Sequence, residues 1–208
     1  MPNTNITSKI INHLKKDAIL VPIIDHCDLH IHKEPIAVFD DLLRSIVSQQ
    51  LSTTAAATIY NRFLTSFDTN QSIPIQILQK SVEDLRSLGL SYQKANYIQN
   101  VVRHFDENNL YDTDWSGISD DDIITELTQI KGVGKWTVEM ILMFSLYRED
   151  VLPLDDLIIR NHMITLYSVT TEKKQMMLDL HQIAESWRPY RSYACRYLWA
   201  AKDTKFVK

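Results

Sequence analysis

The sequence predicts an all-α protein, and three observations lead there. The 208 residues include only four glycines and six prolines, few breakers for a chain of this length. Apolar residues recur at intervals of three and four along most of it. No run alternates apolar and polar residues long enough to demand a sheet; the Ile-rich stretch 73–78 is short and carries Pro74.

Taken in order, the periodicity predicts helices over 6–17, 37–48, 53–65, 82–85, 92–106, 120–127, 135–146, 156–167, 173–186 and 189–199. Ser52 or Thr53 precedes an alanine-rich run and offers an N-cap. Ser119 is followed by Asp120, Asp121 and Asp122, acids that suit the positive end of a helix dipole. Pro189 fits the first turn of the last helix, where its missing N–H is not needed. The most loop-like segment is 108–119. There is no internal repeat, low-complexity tract or linker, so the chain reads as one domain or a compact pair of subdomains.

Composition narrows the function classes. A hydrophobic fraction of 45% and a charged fraction of 23% belong to an ordinary globular chain. No apolar run approaches the roughly 18 residues of a membrane span, and the polar N-terminus lacks a signal-peptide core. Cys27 and Cys195 are far apart and have no partners at metal-ligand spacing, which suits a reducing compartment. His26, His30 and His32 lie near Cys27 and Asp28, but no second ligand pair follows; a solvated or DNA-facing loop is the expectation. The net charge of −4 does not by itself point to nucleic acid. Backbone amides, however, bind phosphate without a cationic side chain.

The most informative segment is LTQIKGVGKWTVEMIL, residues 127–142. A helix ends, Gly132-Val133-Gly134 turns the chain, and a second helix begins near Lys135. The glycines allow positive φ and close approach of another molecule. The amides at the start of the second helix point outward, where the dipole favours an anion. A DNA phosphate fits there, with Lys131 and Lys135 adding positive charge. Leu127, Ile130, Val133, Val138 and Ile141 would lock the two helices together. A lone Gly-x-Gly corner carries little information, but this longer pattern resembles a helix–hairpin–helix, a DNA-binding element indifferent to sequence.

Past the second helix comes DVLPLDDLIIRN, residues 150–161. Asp155 and Asp156 precede an apolar helical run. Helix capping accounts for such a pair by itself; one acid can cap while the other faces a cleft.

GVGKWT, then DVLPLDD, then WRPYRSYA leading to Trp199, resembles DNA-3-methyladenine glycosylase II, a family of the helix–hairpin–helix base-excision glycosylase superfamily. IVSQQLSTTAA (46–56) and LGLSYQKA (88–95) fit the same family, so the resemblance runs from about Phe39 to Trp199. It implies two helical subdomains, a middle one of about 37–150 and another built from the N-terminal segment and about 151–208. The active-site cleft is expected between them. Asp156, twenty residues after Trp136, falls on the catalytic aspartate, with Asp155 beside it. Trp136 stands where bifunctional relatives carry a nucleophilic lysine, which implies base release without strand cutting. Lys135 is one position early and should face phosphate. Trp199 matches a pocket aromatic, and Met140 replaces the pocket tyrosine of a larger bacterial homologue. That homologue has an extra N-terminal domain for which this chain leaves no room.

Gln50 falls on the side chain inserted into the gap left by the flipped base, with Leu51 beside it. Gln49, Ser52 and Thr137 complete the residues expected to face DNA with Lys131, Gly132, Val133, Gly134 and Lys135. In the family the hairpin often holds a monovalent cation, Na+ or K+, on backbone carbonyls, here those of Thr128, Ile130 and Val133. No other cofactor is expected, and the iron–sulfur cysteines of some relatives are missing. The implied partner is double-stranded DNA carrying alkylated bases. The protein is expected to be a monomer with no membrane association, in the cytoplasm of a prokaryote or the nucleus of a eukaryote.

The implied chemistry is physically coherent. A base inside a duplex must be rotated out before its glycosidic bond is reached. Alkylation at purine N3 or N7 makes the base cationic, so it stacks well on Trp136 and Trp199 and leaves readily. What remains is an anion beside the sugar as positive charge develops, the task of Asp156, which can also orient the attacking water. Two alternatives stand beside this: a same-fold glycosylase for oxidised or mismatched bases, and a non-catalytic DNA-binding module. Tyr190, Tyr193 and Tyr197 are expected to pack rather than meet a base; Arg188 and Arg191 either hold the C-terminal helix or touch phosphate.

Overall fold

The structure, a computed structural model, describes residues 4–31 and 37–204. It is built from helices: α1 (Ser8–Leu14), α2 (Val21–His26), α3 (Val38–Ser48), α4 (Thr53–Thr65), α5 (Ile73–Gln79), α6 (Val82–Ser87), α7 (Tyr92–Glu107), α8 (Asp120–Leu127), α9 (Lys135–Phe144), α10 (Leu157–Leu166), α11 (Lys173–Glu185) and α12 (Arg191–Ala200). Short 3-10 turns cover Trp115–Gly117 and Ala201–Asp203. The one sheet among the described residues is a two-residue antiparallel pair, β1 (Thr4–Asn5) with β2 (His30–Ile31). No helix among them is long and apolar enough to cross a membrane.

The chain divides into two compact units. Ile36–Ile141 forms one, and Met1–Pro35 with Leu142–Lys208 forms the other. The second boundary lies inside α9.

In the middle unit α3 packs against α4 and α7, and α7 packs against α5 and α6. The pattern in α3 explains its place. Val38, Phe39, Leu42, Leu43, Ile46 and Val47 recur in pairs four apart and are all buried, the spacing that lines one helix face. The rings of Phe39 and Phe105 meet edge-on at 5.3 Å, and Tyr111 joins Phe39 at 5.1 Å. Such pairs add about 0.5–1.5 kcal/mol beyond area burial and pin the 108–119 loop to the core.

The other unit gathers α10 against α11 and α12, with α2 also on α12. Its largest fully buried side chain is Trp187, whose indole N–H donates to Asp17 Oδ2 at 2.8 Å. The Tyr167 hydroxyl donates to the same oxygen; burial first, then the Asp17 carboxylate, pushes that phenol's pKa up. Tyr190, Tyr193 and Tyr197 are buried. Arg188 and Arg191 both close on the Asp150 carboxylate, so within this unit their role is to tie the loop after α9 to the start of α12.

Local capping follows the side-chain rules. Ser52 accepts the Ala55 N–H, and Ser119 the Asp122 N–H. Ser81 and Asp84 cap each other reciprocally at the start of α6.

Three expectations are corrected. Helices α2 and α5 are absent from the periodicity reading, and each carries a proline, Pro22 and Pro74. Both sit in a first turn, where the proline removes no needed donor. Pro189, by contrast, lies outside α12. Tyr190 donates its N–H to the Trp187 carbonyl at 2.8 Å, closing a turn, and the helix starts at Arg191. Finally, α9 stops at Phe144 because Tyr147 takes φ +54° and the Arg148 N–H returns to the Leu142 carbonyl at 2.8 Å, a closure that ends a helix.

Candidate active site and nucleic-acid interface

The turn between α8 and α9 is held from three directions. The Val133 N–H donates to the Ile130 carbonyl at 2.9 Å. Asn100 of α7 donates to the Lys131 carbonyl at 3.1 Å, and Gln49 to the Gly132 carbonyl at 3.3 Å. Leu127, Ile130, Val133, Val138 and Ile141 are buried beneath the turn.

The two glycines do different work. Gly132 has φ +110°, and a Cβ there would lie 2.2 Å from Cγ of the Tyr97 ring. It is a glycine because of conformation and packing together. Gly134 has no positive φ, and a Cβ there would meet nothing within 4 Å. The expectation of positive φ at both glycines therefore holds at Gly132 alone. Gly134 leaves open space at the exposed start of α9, beside exposed Lys131, Lys135 and Trp136. Lys135 also lies 3.5 Å from buried Glu139 on the next turn.

The loop between α3 and α4 is equally constrained. Lys94 sends its ammonium to the Val47 carbonyl at 2.8 Å, neutralising the end of α3; burial pushes its pKa down. Gln50 then adopts φ +57°, an uncommon conformation for a residue with a side chain. Gln49 is half-buried and engaged with the hairpin, whereas Gln50, Leu51 and Ser52 are exposed.

Trp136, Thr137 and Met140 of α9 join Gln49 and Gln50 around a cavity of about 480 Å³, closed by Arg44, Ser45 and Ser48. Leu51 lines a second concavity with Arg44, Ser48, Thr53 and Tyr60, so the Gln49–Leu51 loop stands between the two. Arg44, 5.4 Å from the Tyr60 ring centroid, was not picked out from sequence. Its spacing of four before Ser48 is the signal that places it on the same helix face.

In the other unit Asp156 is the N-cap of α10. Its Oδ1 accepts the Ile158 N–H at 2.9 Å, the Ile159 N–H at 3.0 Å and the Trp199 Nε1–H at 3.1 Å. Asp156 is 8% exposed, its carboxylate held by charge-assisted bonds at the positive end of a helix. The loop before it is fixed too: Asp156 donates its N–H to the Pro153 carbonyl, and Arg160 to that of Leu154, each at 3.0 Å. Asp155 is exposed. The roles of the pair are thus not divided as a cap and a cleft acid; Asp156 is at once the cap and the buried carboxylate.

Among the described residues no group of three His, Cys, Asp or Glu side chains is gathered as for a metal ion. His32 lies outside the described residues, and the side chain of His30 is not described. Cys27 is half-buried, and burial pushes its thiol pKa up.

Comparison with known proteins adds a separate line of observation. A model of the HhH-GPD superfamily of base excision DNA repair proteins matches residues 43–189. DNA-3-methyladenine glycosylase 1 of Schizosaccharomyces pombe is 37% identical over 170 residues, 80% of this chain and 72% of that protein. The crystal structure of a DNA-3-methyladenine glycosidase from Bacillus halodurans superposes with a TM-score of 0.81 at 33% identity, covering 98% of this chain and 94% of that one. The 3-methyladenine DNA glycosylase of S. pombe, solved in complex with abasic DNA, gives a TM-score of 0.74 at 30% identity over 97% of this chain and all of that one, 100%.

Proposed function

Because this chain belongs to the HhH-GPD superfamily of base excision DNA repair proteins, we propose that it is a monofunctional glycosylase that releases alkylated purines, such as 3-methyladenine and 7-methylguanine, from double-stranded DNA. The observation that carries this reading is the Asp156 carboxylate, buried and oriented by three donors on one oxygen. A carboxylate held this way needs no reorganisation as charge develops beside it.

The steps follow from the residues. Amides of Gly134 and the first turn of α9, with Lys131 and Lys135, take the phosphate backbone. Gln50 and Leu51 occupy the space of the extruded nucleotide, whose removal costs a few kcal/mol and least for a damaged base. Trp136, 44% exposed at the cavity mouth, stacks on the cationic purine. The bond from the sugar C1′ to the purine nitrogen then breaks, its electron pair leaving with the base, which becomes neutral. Asp156 faces the sugar as it becomes cationic and orients the water whose oxygen bonds to C1′; the water's proton passes to the carboxylate or to solvent. No amine stands at position 136, so no imine with the sugar and no strand cutting are expected.

A monovalent cation on the Thr128, Ile130 and Val133 carbonyls suits the hairpin. Three neutral oxygens are a hard-cation donor set; the Ile130 carbonyl, which also accepts the Val133 N–H, would offer its second lone pair. Bound there, the ion would stiffen the turn that meets phosphate. The protein acts as a monomer, in the cytoplasm of a prokaryote or the nucleus of a eukaryote.

The test is to incubate the purified protein with methylated, oxidised and undamaged duplexes and identify the released bases. Release of methylated purines with strands left intact is expected. Release confined to oxidised bases, or none, overturns the proposal.

A further inference from the structure

Trp199 is held at its edge and on its face. The edge is the N–H given to Asp156. The face is stacked on Phe144, with ring centroids 5.3 Å apart and planes 20° from parallel. Phe144 ends α9, and its own ring lies 4.2 Å from the guanidinium carbon of Arg196. The same guanidinium donates to the Met143 carbonyl at 2.6 Å. Arg196 therefore grips the end of α9 twice, by ring and by backbone, and it stands three residues before Trp199 on α12, the spacing of neighbours on one face.

Ordinary core packing explains this arrangement poorly. Leu142 and Met143 are fully buried, whereas Phe144 is 36% exposed, and its ring is packed on Trp199 and Arg196. Arg196 is half-buried, and burial pushes its pKa down; removing a charge from water is costly unless it is hydrogen-bonded or paired, and this guanidinium meets its backbone acceptor and its ring partner at the end of α9 that stacks on Trp199. A face taken by Phe144 is also a face that no base can stack on.

Resting on the function proposed above, we infer that Phe144 and Arg196 are positioning residues that act through Trp199 to orient the Asp156 carboxylate, and that orienting it is the main task of Trp199. With Phe144 gone the indole can tilt, its N–H leaves Oδ1, and the carboxylate loses a side-chain donor that fixes its direction. Misplacement of this kind slows the chemical step and leaves DNA affinity alone.

The experiment compares the wild-type chain with Phe144→Leu, Phe144→Tyr, Arg196→Lys, Trp199→Phe and the Phe144→Leu/Trp199→Phe double variant. Three quantities are measured for each: single-turnover release of 3-methyladenine, the Kd for a duplex holding a stable abasic-site analogue, and the melting temperature. Phe144→Leu keeps an apolar side chain without the flat face and is expected to release base about tenfold more slowly at unchanged Kd, while Phe144→Tyr stays within about twofold. Arg196→Lys keeps the charge and loses the planar stack, so it should slow release in the same way. The double variant should be no slower than Trp199→Phe, because both substitutions break one chain of contacts. Wild-type rates in Phe144→Leu, a loss confined to Kd, or multiplying losses in the double variant overturn the inference alone. A wild-type chain that releases no alkylated base overturns the proposed function and this inference with it.

Discussion

The indole N–H of Trp199 lies 3.1 Å from Oδ1 of Asp156, across 43 residues of sequence. That oxygen also accepts two backbone N–H groups of α10. One carboxylate thus serves as helix cap and as oriented anion, so its structural and chemical roles separate by substitution.

Asp156→Asn should do so. Asparagine caps a helix about as well as aspartate, so stability should fall by no more than about 1 kcal/mol. Base release should fall at least ~100-fold, since a neutral amide cannot stabilise a developing cation. Thermal melts and single-turnover excision measure the two effects. Asp155→Asn, at an exposed position, should leave excision within about twofold; a larger loss there than at Asp156 would reverse the assignment.

The hairpin glycines should respond in opposite ways. Gly132→Ala forces a Cβ into the Tyr97 ring at a left-handed φ and should destabilise the fold by ~2 kcal/mol or more. A Cβ at Gly134 meets no protein atom within 4 Å, so Gly134→Val should change stability by less than about 1 kcal/mol. It should instead weaken binding to all duplexes alike, because the side chain fills the space a phosphate needs. Denaturant melts with fluorescence-anisotropy titrations on unrelated sequences test both; a loss confined to one sequence would contradict backbone binding.

Selectivity should follow charge. Cation–π attraction is worth about 0.5–2 kcal/mol, a factor of roughly two to thirty, so 3-methyladenine should leave faster than neutral ethenoadenine. Trp136→Ala should reduce release of cationic bases, and Trp136→Phe should keep part of it. Met140 presents a polarisable thioether at the same cavity, where a ring would stack bulkier lesions. Fastest release of the etheno adduct would show that the cavity reads shape.

Alkaline pH should expose the buried tyrosines. Burial, then the hydrogen bond to Glu149, pushes the Tyr193 phenol up to about 12, against about 10 in an unfolded chain. Between those values the unfolded chain has lost a proton that the native state keeps, so stability is full below about pH 10 and declines as pH rises toward 12. Tyr193→Phe should make that decline shallower in urea unfolding measured from pH 9 to 12. An unchanged slope would show that Tyr193 does not contribute.

Much of this protein was legible in the sequence because the signals are short-range. Ser52 and Ser119 cap helices through a donor three residues away, and apolar spacing marks the buried face of α3 whatever lies against it. The hairpin run 127–142 carries its turn and its buried residues within one short segment. The same locality misled where a single residue has two uses. Pro22 and Pro74 break helix interiors but start helices equally well, and only the structure decides between these. Nor does any local rule distinguish Gly132 from Gly134: the ring that forbids a side chain at Gly132 is Tyr97, brought there by α7. Gln49 on the Gly132 carbonyl, Lys94 on that of Val47, and Trp199 on Asp156 span 43 to 83 residues. Contacts at that range are set by which helix faces pack together, and helical periodicity names a buried face without naming its partner.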